Sequence, residues 1–293
     1  METAGRVQTA FSIGRKRKNR RSILEMTVIY VLIAGCSFVF MVPFLWMVSA
    51  ALQSDTYTLG GQWFRQFLWT NFEQAFSQQD FQFLSALKNT VFYTVFGTIF
   101  FIVSSLLIAY GFSFFRFPYR NKLFFFLLAT MMIPSTVMFI PNYVMFADWG
   151  WTGTYLPLLI PALGGGPGTI FLLRQFMLTL SISLFESAKM DGAGALTILW
   201  RIVLPNIKAP LIMVIIQQVN GHWSEFFGPL MYVGNDAATR TLSVALSTFN
   251  RVFYVQWSYI MCVALFMALI PVILYFVSQR FLMQDFVISA AEK

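Results

Sequence analysis

The sequence predicts an all-α polytopic membrane protein with six transmembrane helices, and two observations carry that expectation. Of the 293 residues, 58% are hydrophobic and only 11% charged, with mean hydropathy +0.68. That mixture is poor for a soluble domain. Several stretches are nearly free of charge over about 20 residues, the length a helix needs to cross roughly 30 Å of hydrocarbon. Helices are expected because an open sheet would leave backbone groups unpaired in lipid.

The first expected span, 24–51, follows the basic run Arg15 to Arg21 and shows no small-residue cleavage site after a short apolar core. It reads as a retained signal anchor. The connection 53–86 mixes Trp63, Phe64, Trp69, Phe72 and Phe76 with Asp55, Glu73 and Asp80. It either lies along the bilayer surface or faces a soluble partner. The second span, 87–112, carries Asn89, Thr90, Thr94 and Thr98 at roughly i+4 spacing. This stripe either lines a polar path or turns its hydroxyls back onto helix carbonyls.

The third span, 123–147, contains Pro134 and Pro141; the fourth, 155–173, contains Pro157, Pro161 and the run GGGPG at 164–168. Prolines remove helix hydrogen bonds and glycines permit close backbone approach, so both spans are expected to be kinked or broken. Such irregularity marks either a pathway-lining region or simple close packing. The fifth span, 210–231, is unusually polar, and the sixth is 257–277. Cys36 and Cys262 each fall within a span and read as packing residues.

With the amino terminus inside, sixteen of the basic residues fall on the cytoplasmic side and four, Arg65, Lys88, Arg240 and Arg251, outside. Both termini are therefore expected inside. The net charge of +8 needs no nucleic-acid partner; the basic tail sets topology or rests on membrane lipid.

One internal stretch, Glu186 to Pro205 (ESAKMDGAGALTILWRIVLP), combines charge, small side chains and helical spacing. Ser183 and Glu186 have the spacing of a capping box, which predicts a short helix from Leu184 to about Gly192. Gly192 and Gly194 are placed to end it. Leu196, Leu199, Trp200, Val203 and Leu204 predict a second helix before Pro205. The residues alone leave two readings open, a surface that docks a partner and a helical linker between spans.

In the fifth span Gln217, Asn220 and Ser224 are spaced i, i+3, i+7 and share a face, with Gln218, His222 and Glu225 on a neighbouring one. Ionisable groups in a span are costly unless paired or wetted, so a hydrophilic solute pathway is best placed here. Trp223, Phe226 and Phe227 have the character to stack on apolar faces of a solute. The alternative is that His222 and Glu225 cement a helix contact.

An enzyme is not expected. A single histidine excludes histidine-cluster metal sites, HExxH is absent, and GGGPGT lacks the lysine of a GxxxxGK[ST] loop. A secondary transporter would explain the polar stripes but leave the stretch 186–205 without a purpose.

ESAKMDGA followed by ILWRIVLPNIKAP closely resembles the EAA motif of permease subunits in bacterial binding-protein-dependent ABC importers. Glu186, Ala188, Asp191, Gly192, Ala193, Leu204, Pro205 and Pro210 match the motif; Ser187 replaces its first alanine, and Ser181 stands where many members have proline. HWSEFFGPLMY (His222 to Tyr232), TLSVALSTF (Thr241 to Phe249) and QRF (Gln279 to Phe281) resemble further segments of the carbohydrate-uptake group, MalG-type, with His222 and Gly228 as departures.

The resemblance implies a basic tail (1–23), a first span with its outer loop (24–86), a core permease domain (87–278) containing a cytoplasmic coupling loop (181–209), and a carboxyl tail (279–293). It implies that Glu186, Ser187, Ala188, Lys189, Asp191, Gly192 and Ala193 meet an ATPase, with Arg174 and Arg201 at the rim and Leu204 and Pro205 packing the loop. Gln217, Asn220, Trp223, Ser224 and Glu225 are the candidate pathway residues. The implied partners are a second homologous permease, two ATPase subunits that bind the ATP and magnesium, and an extracytoplasmic solute-binding protein. This chain would bind no cofactor directly. The implied setting is a bacterial inner membrane and the implied cargo a sugar, polyol, oligosaccharide or glycerol phosphate.

Overall fold

A computed structural model describes residues 2–234, 236–250 and 254–291, and the side-chain surroundings of 23–234, 236–250 and 254–279. Helices dominate these residues, and the pairing of Asn250 with Val255 is an isolated bridge. The first helix, α1, is Glu2–Ala51; two short helices, α2 (Asp55–Leu59) and α3 (Thr70–Ser77), lead to the long α4 (Phe83–Phe114).

The expected third span is not one rod. It divides into α5 (Arg120–Ala129), a 3-10 turn at Thr130–Met132, and α6 (Phe139–Asp148). Pro134 causes the break, because it has no N–H for the Thr130 carbonyl and drives Ile133 into extended backbone (φ −82, ψ 115). Pro141 is harmless, since it sits in the first turn of α6, where N–H groups lack partners anyway.

The fourth span is likewise built in pieces that each carry a proline in their first two positions. They are α7 (Leu156–Leu159), a 3-10 turn at Pro161–Gly164, and α8 (Pro167–Leu178). Gly165 has φ +68 and its neighbour Gly166 donates its N–H to Ser105 Oγ at 3.0 Å, so the break is pressed directly onto α4. A side chain at Gly166 would put its Cβ 2.2 Å from the Phe101 ring.

Next come α9 (Ile182–Met190), α10 (Ala195–Ile198), a π turn at Leu199–Val203 and α11 (Leu204–Asn206). The chain then turns through 86° into α12 (Lys208–Ser224). The π turn precedes Pro205, whose missing N–H and bulky ring disturb the regular α pattern. After α12 come α13 (Phe227–Tyr232), α14 (Leu242–Leu246) and α15 (Trp257–Ala291).

Among the described residues four helical segments are long and apolar enough to cross a membrane, Ile23–Ala51, Phe83–Phe114, Leu156–Leu178 and Trp257–Gln279; the bent pair ending in α12 supplies up to a fifth. Of the six expected spans, the third has no such unit among the described residues; its place is taken by the divided α5–α6 segment.

Two buried clusters hold the bundle. One joins Leu106 and Tyr110 of α4 to Leu173 and Met177 of α8 and to Phe185, Ile198, Leu199 and Val203 of the loop that follows. The other joins Ala51, Phe81, Trp223, Leu242, Phe249 and Cys262. Cys36 and Cys262 are free thiols.

Much of the connection 53–86 folds onto the chain's own last helix. Asp55 accepts hydrogen bonds from the Ser258 N–H (2.7 Å) and hydroxyl, near the start of α15, and Asn71 Nδ2 donates to the carbonyls of Ala51 and Gln53. Phe81 is fully buried, whereas Trp63, Phe67 and Trp69 stay exposed. Asn89 and Thr90 are likewise structural. Asn89 Nδ2 donates to the Ala238 and Arg240 carbonyls, and Thr90 Oγ1 accepts the Leu242 N–H at the start of α14.

Candidate functional site

The coupling-loop candidates lie on a compact helix–turn–helix seated on the ends of α4 and α8. Phe185 stacks on Phe114 with ring centroids 3.7 Å apart, and Tyr110 Oη donates to the Ala195 carbonyl at 3.0 Å. Phe185 and Ala188 are buried, while Met190 is 88% exposed. This face sets the outward presentation of everything else in α9.

The expected capping box is not formed. The helix begins at Ile182, with Ser181 as its cap residue in extended backbone (ψ 127), and the Ser183 hydroxyl is paired with that of Ser181 at 2.5 Å. Ser183 thus lies inside the first turn, and Glu186 Oε has no cap to close. At the other end the reading holds. Gly192 takes φ +77, and the chain reverses there, with the Ala193 N–H bonded to the Ala188 carbonyl at 2.9 Å.

The loop candidates divide between two faces. Ala188, Asp191, Gly192 and Ala193 line an open notch of 590 Å³ at the turn, shared with Thr197 and Arg201. Glu186 and Lys189 line a second cavity on the side facing the α4–α5 connection, which Ala193 also borders. Ser187 is exposed and returns its hydroxyl to the Ser183 and Leu184 carbonyls. In the second helix the buried set is Ile198, Leu199 and Val203, followed by Ile207 at the bend. Leu196 (65%) and Trp200 (66%) are exposed, so the packing stripe is offset from the expected one. Leu204 is half-buried against the core cluster, and Pro205 is exposed.

The α12 candidates also separate. Gln217 is exposed and lines a cavity of 590 Å³ with Ser135, Thr169, Phe101 and the backbone of the two breaks at 133–135 and 166–168. Asn220 is half-buried, and its Oδ1 has no hydrogen-bond partner among the described residues. Ser224 is exposed and donates to the Asn220 carbonyl at 2.7 Å. Trp223 stands apart: it is buried, and its Nε1 donates to the Met267 carbonyl at 2.9 Å, so it packs on α15 and offers no face for stacking.

Glu225 is also engaged within the chain. Its Oε1 accepts the Gly228 N–H at 3.0 Å, in the first turn of α13. The helix breaks at Glu225 because Pro229 has no N–H for its carbonyl, which instead accepts the Ser243 hydroxyl. His222 cements α12 to α4, with Nδ1 at 3.2 Å from Thr98 Oγ1 and its ring edge on Tyr93, over the bare Cα of Gly97.

A family model described as the binding-protein-dependent transport system inner membrane component matches residues 102–286, more than half of the chain. The chain belongs to that family. As a permease it is similar to the sn-glycerol-3-phosphate transport system permease protein UgpE of Agrobacterium fabrum, 33% identical over 194 residues, 64% of this chain and 66% of that protein. It is 30% identical to UgpE of Yersinia pestis over 190 residues, 64% of this permease and 67% of that one. In fold it resembles a chain of a bacterial ABC transporter involved in the import of the acidic polysaccharide alginate. The TM-score is 0.75 at 22% identity, covering 87% of this permease and 95% of that chain. A related structure holds an alginate pentasaccharide-bound periplasmic protein (TM-score 0.64, 15% identity, covering 88% and 94%).

Residues of this permease that the sequence did not single out are Ser135 and Thr169 in the cavity beside Gln217, and Arg116 and Arg120 beside Glu186. The prolines at 134 and 167 were the available signal for the first pair. Nothing local marked the second pair beyond their place in the basic set expected inside.

Proposed function

We propose that this permease forms half of the membrane pathway of an ATP-driven importer for a sugar or related polyol or oligosaccharide, with partner subunits hydrolysing the ATP. The observation that carries the motor assignment is α9 with its turn, anchored by Phe185 and Ala188 while Met190, Asp191 and Gly192 project outward. A rigid piece held between two spans passes movement of a docked subunit to the bundle. The excess of basic residues on one side supports termini and loop in the cytoplasm of a bacterial cell. A second homologous permease would complete the path, and an extracytoplasmic solute-binding protein would deliver to it. Purification tests the assembly: ATPase subunits copurify with the wild-type chain and are lost when the turn at Gly192 is disrupted.

The cavity at Gln217 supports an uncharged, hydroxyl-rich cargo. Its lining combines the hydroxyls of Ser135 and Thr169, an amide and apolar side chains including Phe101. Hydroxyls and an amide match sugar hydroxyls, and an aromatic ring matches an apolar sugar face. A second reading, glycerol phosphate, rests on the names of the UgpE relatives; it requires the phosphate to be met by the partner permease or the binding protein.

Gln217→Ala is expected to weaken solute handling more than assembly. Loss of one hydrogen bond of about 1 kcal/mol corresponds to a rise of roughly fivefold in the half-saturating concentration for uptake. Uptake kinetics of the reconstituted complex with a panel of neutral polyols, sugars and glycerol phosphate measure this. Unchanged kinetics for every transported solute would remove Gln217 from the pathway.

A further inference from the structure

We propose that the cavity between the α4–α5 connection and α9 holds the phosphate of an anionic phospholipid from the cytoplasmic leaflet, so that lipid charge steadies the coupling helix. The proposal rests on the orientation inferred above. The cavity has a volume of 720 Å³. Arg116, Arg120 and Lys189 line it, against a single lining carboxylate, Glu186.

Its floor is aromatic. Phe114 stacks on Phe185, and Tyr110 and Phe115 border the same space. Leu178 (46% exposed) and Ile182 (70% exposed), at the junction of α8 and α9, add an exposed apolar wall. Cations beside an exposed apolar wall match a phosphodiester that carries an acyl chain. A topology signal needs the charges but no cavity. A free phosphate needs the charges but no apolar wall.

The basic groups retain donors for a ligand. Arg120 Nη1 spends one hydrogen on the Phe115 carbonyl at 3.3 Å, and a guanidinium carries five. Arg116 is exposed. Because Phe185 and Lys189 belong to α9, a headgroup bound here ties that helix to the end of α4.

The test uses the complete complex in nanodiscs of phosphatidylcholine alone or with phosphatidylglycerol. It follows amide hydrogen exchange across 182–190 and the lipid retained on delipidation. Phosphatidylglycerol is expected to slow exchange in the wild type. Arg116→Gln with Arg120→Gln should weaken its retention about 30-fold, and lysine at both positions should restore most of it.

Equal exchange in both lipids would overturn the proposal, as would equal protection by free inorganic phosphate in phosphatidylcholine. Loss of ATPase subunits from the glutamine double variant, without change in lipid retention, would show instead that the cavity belongs to the ATPase interface. Failure of the importer reading itself is separately visible, because ATPase subunits would then be missing from the wild-type preparation.

Discussion

Gly165→Leu is expected to prevent accumulation of the folded chain, while Gly164→Ala, one position earlier, leaves it intact. Gly165 has φ +68, where an L side chain costs about 1 kcal/mol. A Cβ there would meet Ser105 Oγ at 2.9 Å and the Ser105 Cα and N at 3.1 Å. Those last two are backbone atoms in the middle of α4 and have no rotamer by which to move aside. Overpacking of this kind adds about 1–3 kcal/mol, a large part of a marginal stability. Gly164 has nothing within 4 Å of its Cβ position.

The neighbouring position separates backbone from side-chain obstruction. Gly166→Ala collides with the far end of the Phe101 ring, so Phe101→Ala should relieve it. Ser105→Ala should not rescue Gly165→Leu, because the backbone contacts remain. Yield of folded chain, and thermal stability of the detergent-purified variants that accumulate, read all of these. A Gly165→Leu chain as stable as wild type would mean that the break does not press on α4 as described.

The membrane class was legible because it depends on composition over about 20 residues, which no local detail can reverse. The breaks at 133–138 and 160–166 were legible for a similar reason, since prolines act on their own backbone wherever they stand. The break at Glu225 was missed because its cause, Pro229, lies four residues downstream and removes the donor for the Glu225 carbonyl. Helical geometry at about 100° per residue already put Trp223 some 240° round from Gln217, so its placement against α15 was available from spacing. The capping box failed for a different reason. Ser181 and Ser183 are both plausible caps by type, and only the extended backbone at Ser181 decides between them. The meeting of Arg116 and Arg120 with Glu186 and Lys189 is a tertiary event, set by Phe114 stacking on Phe185, and no pattern within either segment encodes it.

Gly192→Trp is expected to leave membrane insertion intact and reduce uptake at least tenfold, with loss of ATPase copurification. The substitution does two things that must be separated. It puts a side chain at φ +77, a strain of about 1 kcal/mol, and it places an indole over the notch shared by Ala188, Asp191 and Arg201. A Cβ at Gly192 has nothing within 4 Å, so the fold itself need not be disturbed. Gly192→Asn carries a side chain that tolerates the left-handed region and stays short; it should retain most uptake. Gly192→Ala bears the strain with almost no bulk and should fall between the two. Met190→Asp supplies an independent arm, because Met190 is 88% exposed on the same end of α9 and replacing it changes the surface without touching the turn. If blockade is the mechanism, Met190→Asp and Gly192→Trp fail together while Gly192→Asn works. Failure of all three glycine variants with a working Met190→Asp would assign the defect to the turn's backbone, and wild-type uptake by Gly192→Trp would reject docking at this surface.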